Sequence, residues 1–198
     1  MCKHARSTSY NTCVIAFFIQ LDESFLQLSL LAHAPALTWL FLWLTQLGDA
    51  RTIIVVALSI TFVLWRHKRL SYKAGFFVTL FSSLAGSYIL KALIERARPG
   101  LSWNLVIETG YSFPSTHAAV SFAVYGFLAY MALKLMHPIS HRLPWTLFLS
   151  VLIVFIGFSR VYLCVHFVSD VLAGFVVGAL ALWLGVYVTN RVSKYLAR

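Results

Sequence analysis

The chain has 198 residues, 60% of them hydrophobic and 11% charged, against about 45–50% apolar and about 25% charged in an ordinary soluble domain. A single domain of this length has too little interior to bury so much apolar side chain, so the surplus must face lipid, which excludes a soluble enzyme, a disordered chain and a disulfide scaffold. The excess of 16 Lys and Arg over 6 Asp and Glu would point to nucleic acid in a soluble protein, but here the cations must first be sorted by membrane side.

At the N-terminus, Lys3 and Arg6 precede a short apolar run over residues 13–21. It has the look of a secretion signal, but no small-residue cleavage site follows, and Asp22 and Glu23 close it, so no cleavage is expected. Residues 1–23 are read as a cytoplasmic or interfacial segment. The cysteines, Cys2, Cys13 and Cys164, form no paired motif, so neither a disulfide framework nor a zinc site is expected.

Crossing about 30 Å of hydrocarbon takes about 20 mostly apolar residues. Six stretches qualify: residues 24–47, interrupted by Pro35, whose half before the proline could instead be an interfacial helix extended by residues 13–21; 50–65, short and entered through Gly48-Asp49; 72–93; 118–136; 145–163; and 171–189. The expected fold is therefore all-α, a polytopic membrane bundle of six helices forming one integral-membrane domain over residues 1–198. With the N-terminus inside, the inner segments hold Lys3, Arg6, Arg66, Lys68, Arg69, Lys73, Lys134, Arg142, Arg191, Lys194 and Arg198, which is 11 of the 16 cations. This asymmetry predicts cytoplasmic N- and C-termini and makes the basic clusters topology anchors, with no nucleic-acid partner. Gly174 and Gly178 form a GxxxG that predicts close helix packing within the bundle.

Three polar stretches interrupt this pattern. In the first, Lys91 and Arg98 stand seven apart, about two helical turns, and Pro99 drives Arg98 out of helical geometry. Two cations at the headgroup level suit an anion; snorkelling with an ion pair to Glu95 is the plainer reading. In the second, Pro114-Ser115-Thr116-His117 opens the fourth span. Ser115 and Thr116 are ordinary cap residues, yet the free N–H groups of a helix start also bind phosphate, and His117 beside them is a candidate proton donor. In the third, Arg160 precedes His166 and Asp170, which are four apart and would share a helix face. A carboxylate accepting from one ring nitrogen leaves the other free as nucleophile or base; the plainer role for Asp170 is a helix-start acid.

Chain parity joins the three. The first two stretches share one outer loop, and two crossings later the chain returns to the same side at Arg160 to Asp170. Three cations, two histidines and few acids suit a bound phosphate with no metal, because metal sites for phosphate chemistry usually need several carboxylates.

The ordered set Lys91…Arg98-Pro99, Pro114-Ser115-x-His117, Ser159-Arg160…His166…Asp170 resembles the signature of the type 2 phosphatidic acid phosphatase family, related to vanadium haloperoxidases and bacterial acid phosphatases. The resemblance spans residues 91–170 by motif. It implies a membrane bundle with a site at the lipid–water boundary, in which His166 is the nucleophile and forms a phosphohistidine, Asp170 orients it, and His117 protonates the leaving oxygen. Lys91, Arg98, Arg160, Ser115 and Thr116 would hold the phosphate oxygens, and vanadate would act only as an inhibitor, no metal or other cofactor being required. Thr116 stands where most members carry glycine; its backbone N–H remains available, so activity is expected to survive. The expected activity is hydrolysis of a lipid phosphate such as undecaprenyl diphosphate, phosphatidylglycerophosphate, phosphatidic acid or diacylglycerol pyrophosphate. It would take place on the periplasmic or extracellular face of a bacterial inner membrane. A phosphotransferase acting on an acceptor such as lipid A is the alternative; a non-catalytic lipid-binding or transport protein is a weaker one.

Overall fold

A computed structural model describes residues 8–100, 105–106 and 108–197. The described residues form seven helices and no strand: α1 Thr8–Leu31, α2 Pro35–Gln46, α3 Ala50–Arg66, α4 Leu70–Ile94, α5 Thr116–Leu135, α6 Ile139–Tyr162 and α7 Val168–Leu196. Helices α4 to α7 match the last four expected spans, with the ends at 136 and 163 one residue past α5 and α6, and are long and apolar enough to cross a membrane.

The first part of the chain follows the alternative of a separate helix before Pro35. Residues 24–47 are not one interrupted span. Helix α1 begins far upstream and ends at Leu31, and Pro35 opens a separate helix after Ala34 in extended geometry. Proline lacks the N–H that a continuing helix needs, and it disfavours helical geometry in the residue before it. Helices α2 and α3 meet at a 45° bend and qualify as a span only as a pair. By length and composition four described helices qualify as spans, or five when the bent pair is counted as one, and a sixth is not among the described residues. Lys3, Arg6 and Arg198, expected on the inner side, lie outside the described residues. So do residues 1–7 of the expected N-terminal segment; the rest of it belongs to α1.

Helices α3 to α7 alternate in direction. One end of the bundle gathers the starts of α4 and α6 and the ends of α3, α5 and α7. Tyr72 stacks on Tyr130 there at 6.0 Å, and the Tyr130 hydroxyl donates to Asn190 at 3.3 Å. This end carries Arg66, Lys68, Lys73, Lys134, Arg142, Arg191 and Lys194. The opposite end gathers the C-termini of α4 and α6, the N-termini of α5 and α7 and the α2–α3 turn, and it carries the polar motifs.

Helix α5 is the centre, with eleven of its twenty residues buried. Val120, Val124 and Phe127 pack with Ile53, Ile60 and Leu64 of α3, Phe76 of α4 and Ile153 and Ile156 of α6. The outward faces keep large apolar side chains exposed, among them Leu58, Phe81, Leu180 and Trp183. In water such a surface would drive association, and in a bilayer it is the solvated face. The GxxxG packs on α5 as expected. A Cβ at Gly174 would lie 2.6 Å from the Ser115 carbonyl oxygen, and one at Gly178 2.5 Å from that of Ala119. Gly178→Ala is expected to destabilise the fold by about 2 kcal/mol, because a methyl forced against backbone must push the helices apart. Thermal unfolding in detergent checks this; an unchanged midpoint would contradict the close α5–α7 contact.

Candidate active site

Each expected site residue is delivered by a helix end. Helix α4 stops because Glu95 adopts left-handed geometry (φ 48°) and Pro99 follows. Lys91 stays in the last helical turn and donates to the Tyr111 carbonyl at 2.6 Å. Arg98 lies beyond the helix, as Pro99 predicts. Its Nη1 donates to the Val165 carbonyl at 2.9 Å and stands 3.2 Å from His166 Nε2. Its Nε and Nη2 donate to the carbonyls of Gly110 and Thr109 at 3.0 and 3.2 Å. Neither Lys91 nor Arg98 takes Glu95 as its partner.

Ser115 caps α5, its hydroxyl accepting from Ala118 N–H at 3.4 Å. Its own N–H donates to the Asp170 carbonyl at 3.0 Å, which ties this loop to α7. Thr116 and His117 form the first turn of α5, and both line the cavity described below. Arg160, in the last turn of α6, is only 1% exposed. Its Nη1 donates to Thr45 Oγ1 at 2.6 Å and its Nη2 to Glu108. Its Nε has no partner among the described residues. A buried guanidinium N–H without an acceptor is costly, and an oxygen of a bound anion would satisfy it.

His166 and Asp170 do not share a helix face. His166 precedes the α7 cap residue Phe167, and Asp170 lies in the first turn. They still meet, with His166 Nδ1 3.5 Å from Asp170 Oδ2. Ser112 joins them, its hydroxyl donating to Asp170 Oδ2 at 2.5 Å and lying 3.4 Å from His166 Nδ1. Asp170 Oδ2 also accepts from Phe167 N–H at 3.0 Å. The two readings of Asp170, helix-start acid and partner of His166, therefore describe one carboxylate. Two acceptors beside Nδ1 favour the tautomer protonated there, and Nε2 then presents its lone pair toward Arg98 and the cavity. Burial, with repulsion from Arg160 and Arg98, outweighs the pull of Asp170 and lowers the His166 pKa to about 4. Burial pushes the Glu108 carboxyl up, but the charge and hydrogen bond of Arg160, helped by His117 and Arg98, hold it below its ordinary value.

His166, His117, Lys91, Arg98, Glu108 and Thr116 line one end of a cavity of about 770 Å³. Its other walls are apolar and come from α3 (Ile53, Ile54, Ala57, Leu58) and α4 (Phe77, Leu80, Leu84). Among the described residues no group of three or more His, Cys, Asp and Glu side chains forms a metal cluster. Five polar residues around this site were not singled out by motif spacing: Asp22, Thr45, Arg96, Glu108 and Ser112. One signal was present in the composition. The chain has six acids, and all of them, Asp22, Glu23, Asp49, Glu95, Glu108 and Asp170, fall in segments that reach this end.

A cation-lined pocket with a buried histidine, at one end of a bundle with a lipid-compatible surface, belongs to a multi-pass integral membrane protein. The family described as the PAP2 superfamily matches residues 72–194. The chain belongs to this superfamily, that of the type 2 phosphatidic acid phosphatases, and is an enzyme that hydrolyses phosphate esters. It is 31% identical over 175 residues to phosphatidylglycerophosphatase B of Bacillus subtilis, covering 88% of this chain and 86% of that one. It is 27% identical over 130 residues to lipid A 4'-phosphatase of Bacteroides thetaiotaomicron, covering 60% and 53% of the two. The crystal structure of a transmembrane PAP2 type phosphatidylglycerolphosphate phosphatase from Bacillus subtilis superposes with a TM-score of 0.76 at 28% identity, over 96% of this chain and 89% of that one. Aquifex aeolicus LpxE shares the fold, with a TM-score of 0.66 at 21% identity over 86% and 95% of the two chains.

The lowered pKa of His166 fixes the sign of a pH effect. Between about 4 and the ordinary value of 6.5 the folded protein binds fewer protons at this ring than the unfolded chain, so this group's contribution to stability rises with pH across that window. In 15N-histidine-labelled protein, the His166 ring is expected to give the shifts of a neutral imidazole at about pH 5.5, below the usual titration point. A cationic ring there would contradict the burial and the repulsion described.

Proposed function

We propose that the protein is a metal-independent lipid phosphatase and that phosphatidylglycerophosphate is the first substrate to test. The cavity carries this reading. One end holds cations and two histidines, and the remainder is an apolar wall of α3 and α4. A phosphorylated headgroup with its acyl chain matches that division, whereas a small polar phosphate ester would leave the apolar wall in contact with water. The similarity to phosphatidylglycerophosphatase B of Bacillus subtilis supports the choice of lipid.

In the proposed reaction His166 Nε2 attacks phosphorus, and the bond from phosphorus to the leaving oxygen breaks. His117 gives that oxygen its proton. Arg98, Arg160, Lys91, Ser115 and the backbone N–H of Thr116 surround the phosphoryl oxygens, where charge is spread in the transition state. Asp170, with Ser112, holds the Nδ1 proton and stabilises the positive ring that forms when Nε2 carries phosphorus. Water then attacks phosphorus and gives a proton to His117, and the bond from phosphorus to Nε2 breaks to release phosphate. The site would face the periplasmic or extracellular side of a bacterial inner membrane, with the strongly basic end in the cytoplasm.

The test is phosphate release by detergent-purified protein from phosphatidylglycerophosphate, phosphatidic acid, diacylglycerol pyrophosphate and undecaprenyl diphosphate, with EDTA present. Release is expected to persist in EDTA, to be fastest on phosphatidylglycerophosphate, and to fall by at least about 10³-fold in His166→Ala. Activity retained in His166→Ala, or abolished by EDTA, would overturn the mechanism. In the same assay Ser112→Ala is expected to lower kcat about tenfold with little change in KM, because it removes one charge-assisted hydrogen bond behind the nucleophile.

A further inference from the structure

No step of the proposed reaction uses Asp22 or Arg96. Asp22 comes from α1, outside the matched residues 72–194. Its side chain is only 3% exposed, yet it is fully engaged. Oδ1 accepts from Ser169 N–H at 2.9 Å, and Oδ2 accepts from the Ser169 hydroxyl at 2.6 Å and from Arg96 Nη2 at 2.8 Å. The other arm of the same guanidinium reaches the site. Arg96 Nη1 donates to Asp170 Oδ1 at 2.7 Å and to the Ser169 hydroxyl at 2.6 Å. The guanidinium lies over the Phe167 ring, 4.1 Å from its centroid. Both oxygens of Asp170 are thus engaged: Oδ1 by Arg96, and Oδ2 by Ser112, Phe167 N–H and His166.

We propose that Asp22 and Arg96 are positioning residues for the reaction: Arg96 clamps Asp170 in its orientation toward His166, and Asp22 shares the charge of Arg96 so that Asp170 keeps its negative field at the nucleophile. This rests on the reading of His166 as nucleophile and Asp170 as its partner. One guanidinium between two carboxylates leaves the trio with one net negative charge. Without Asp22, the Arg96–Asp170 pair is neutral, and its field at the His166 ring largely cancels in a site where charges are poorly screened. The ring must become cationic when it takes phosphorus, so the loss falls on the chemical step. Substrate binding, which depends on the other cations, is left alone. A role confined to docking α1 predicts otherwise: any change at Asp22 would loosen the fold without separating kcat from KM.

The test uses the full-length protein in detergent and the fastest lipid of the panel. It compares Asp22→Asn, Asp22→Glu and Arg96→Lys with the wild type and with His166→Ala, recording kcat, KM and the thermal midpoint. Asp22→Asn is expected to lower kcat about tenfold, the worth of one charge-assisted contact, with KM within about twofold of wild type. Asp22→Glu, which keeps the charge, is expected to recover most of that loss. Arg96→Lys is expected to lower kcat by a similar factor, because one ammonium does not reproduce the fork that holds both carboxylates. Wild-type kcat in Asp22→Asn, or an equal loss in Asn and Glu variants, would overturn the inference while His166→Ala remains inactive. Should Asp22→Asn fail to fold, Arg96→Lys decides, and wild-type kcat there overturns the inference equally. Activity surviving in His166→Ala would instead remove the catalytic reading on which the inference stands.

Discussion

The Asp170 carboxylate is the point on which the rest of the site depends. It is fully buried in a helix that crosses the apolar bundle. A buried charge is tolerable only if its lone pairs are filled by good donors. Those donors come from two connections of the chain: Arg96 and Ser112 between α4 and α5, and His166 and the Phe167 N–H between α6 and α7. Satisfying one carboxylate therefore pulls these two connections together, and the geometry of the site follows from that requirement. Through Arg96 the requirement extends to Asp22 and brings α1 into the same network.

Arg160 shows the complementary case. It too is buried, between Thr45 and Glu108, but its Nε has no partner among the described residues. The carboxylate is completed by the protein, and the guanidinium is left one acceptor short. A phosphate oxygen fits that deficit, and the negative charge of the ligand would offset the repulsion among Arg98, Arg160 and Lys91. The cations are thus held ready by carbonyls and by Glu108, so little rearrangement is needed when charge develops on the substrate.

The bundle around this polar end obeys different physics. Its helices pack through small residues and expose aliphatic and aromatic side chains, because lipid gives no hydrophobic drive for helices to associate and close van der Waals contact must do so. The α5–α7 contact at Gly174 and Gly178 serves the site directly, since it presses the start of α7 against the loop from Ser112 to Ser115. A separation of α5 from α7 would pull Asp170 away from Ser112.

Much of this was legible in the chain. Apolar runs, their spacing and the loop charges are local properties. Helices α4 to α7 were therefore readable, as was the convergence of Lys91, Arg98, His117, Arg160, His166 and Asp170 on one end, because successive crossings alternate in direction. The early chain was less legible. A charged pair at residues 22–23 reads as the end of a segment when its partners are unknown, whereas in the fold α1 runs straight through it because Arg96, 74 residues away, neutralises Asp22. Composition and the alternation of the crossings alone determined that the protein lives in a membrane and that these cations and histidines share one end. Which charges meet there was decided only by tertiary structure. The partner of a buried acid is set by where distant segments cross, and the pairing of Asp22 with Arg96, Ser112 with Asp170 and Glu108 with Arg160 leaves no trace in local spacing.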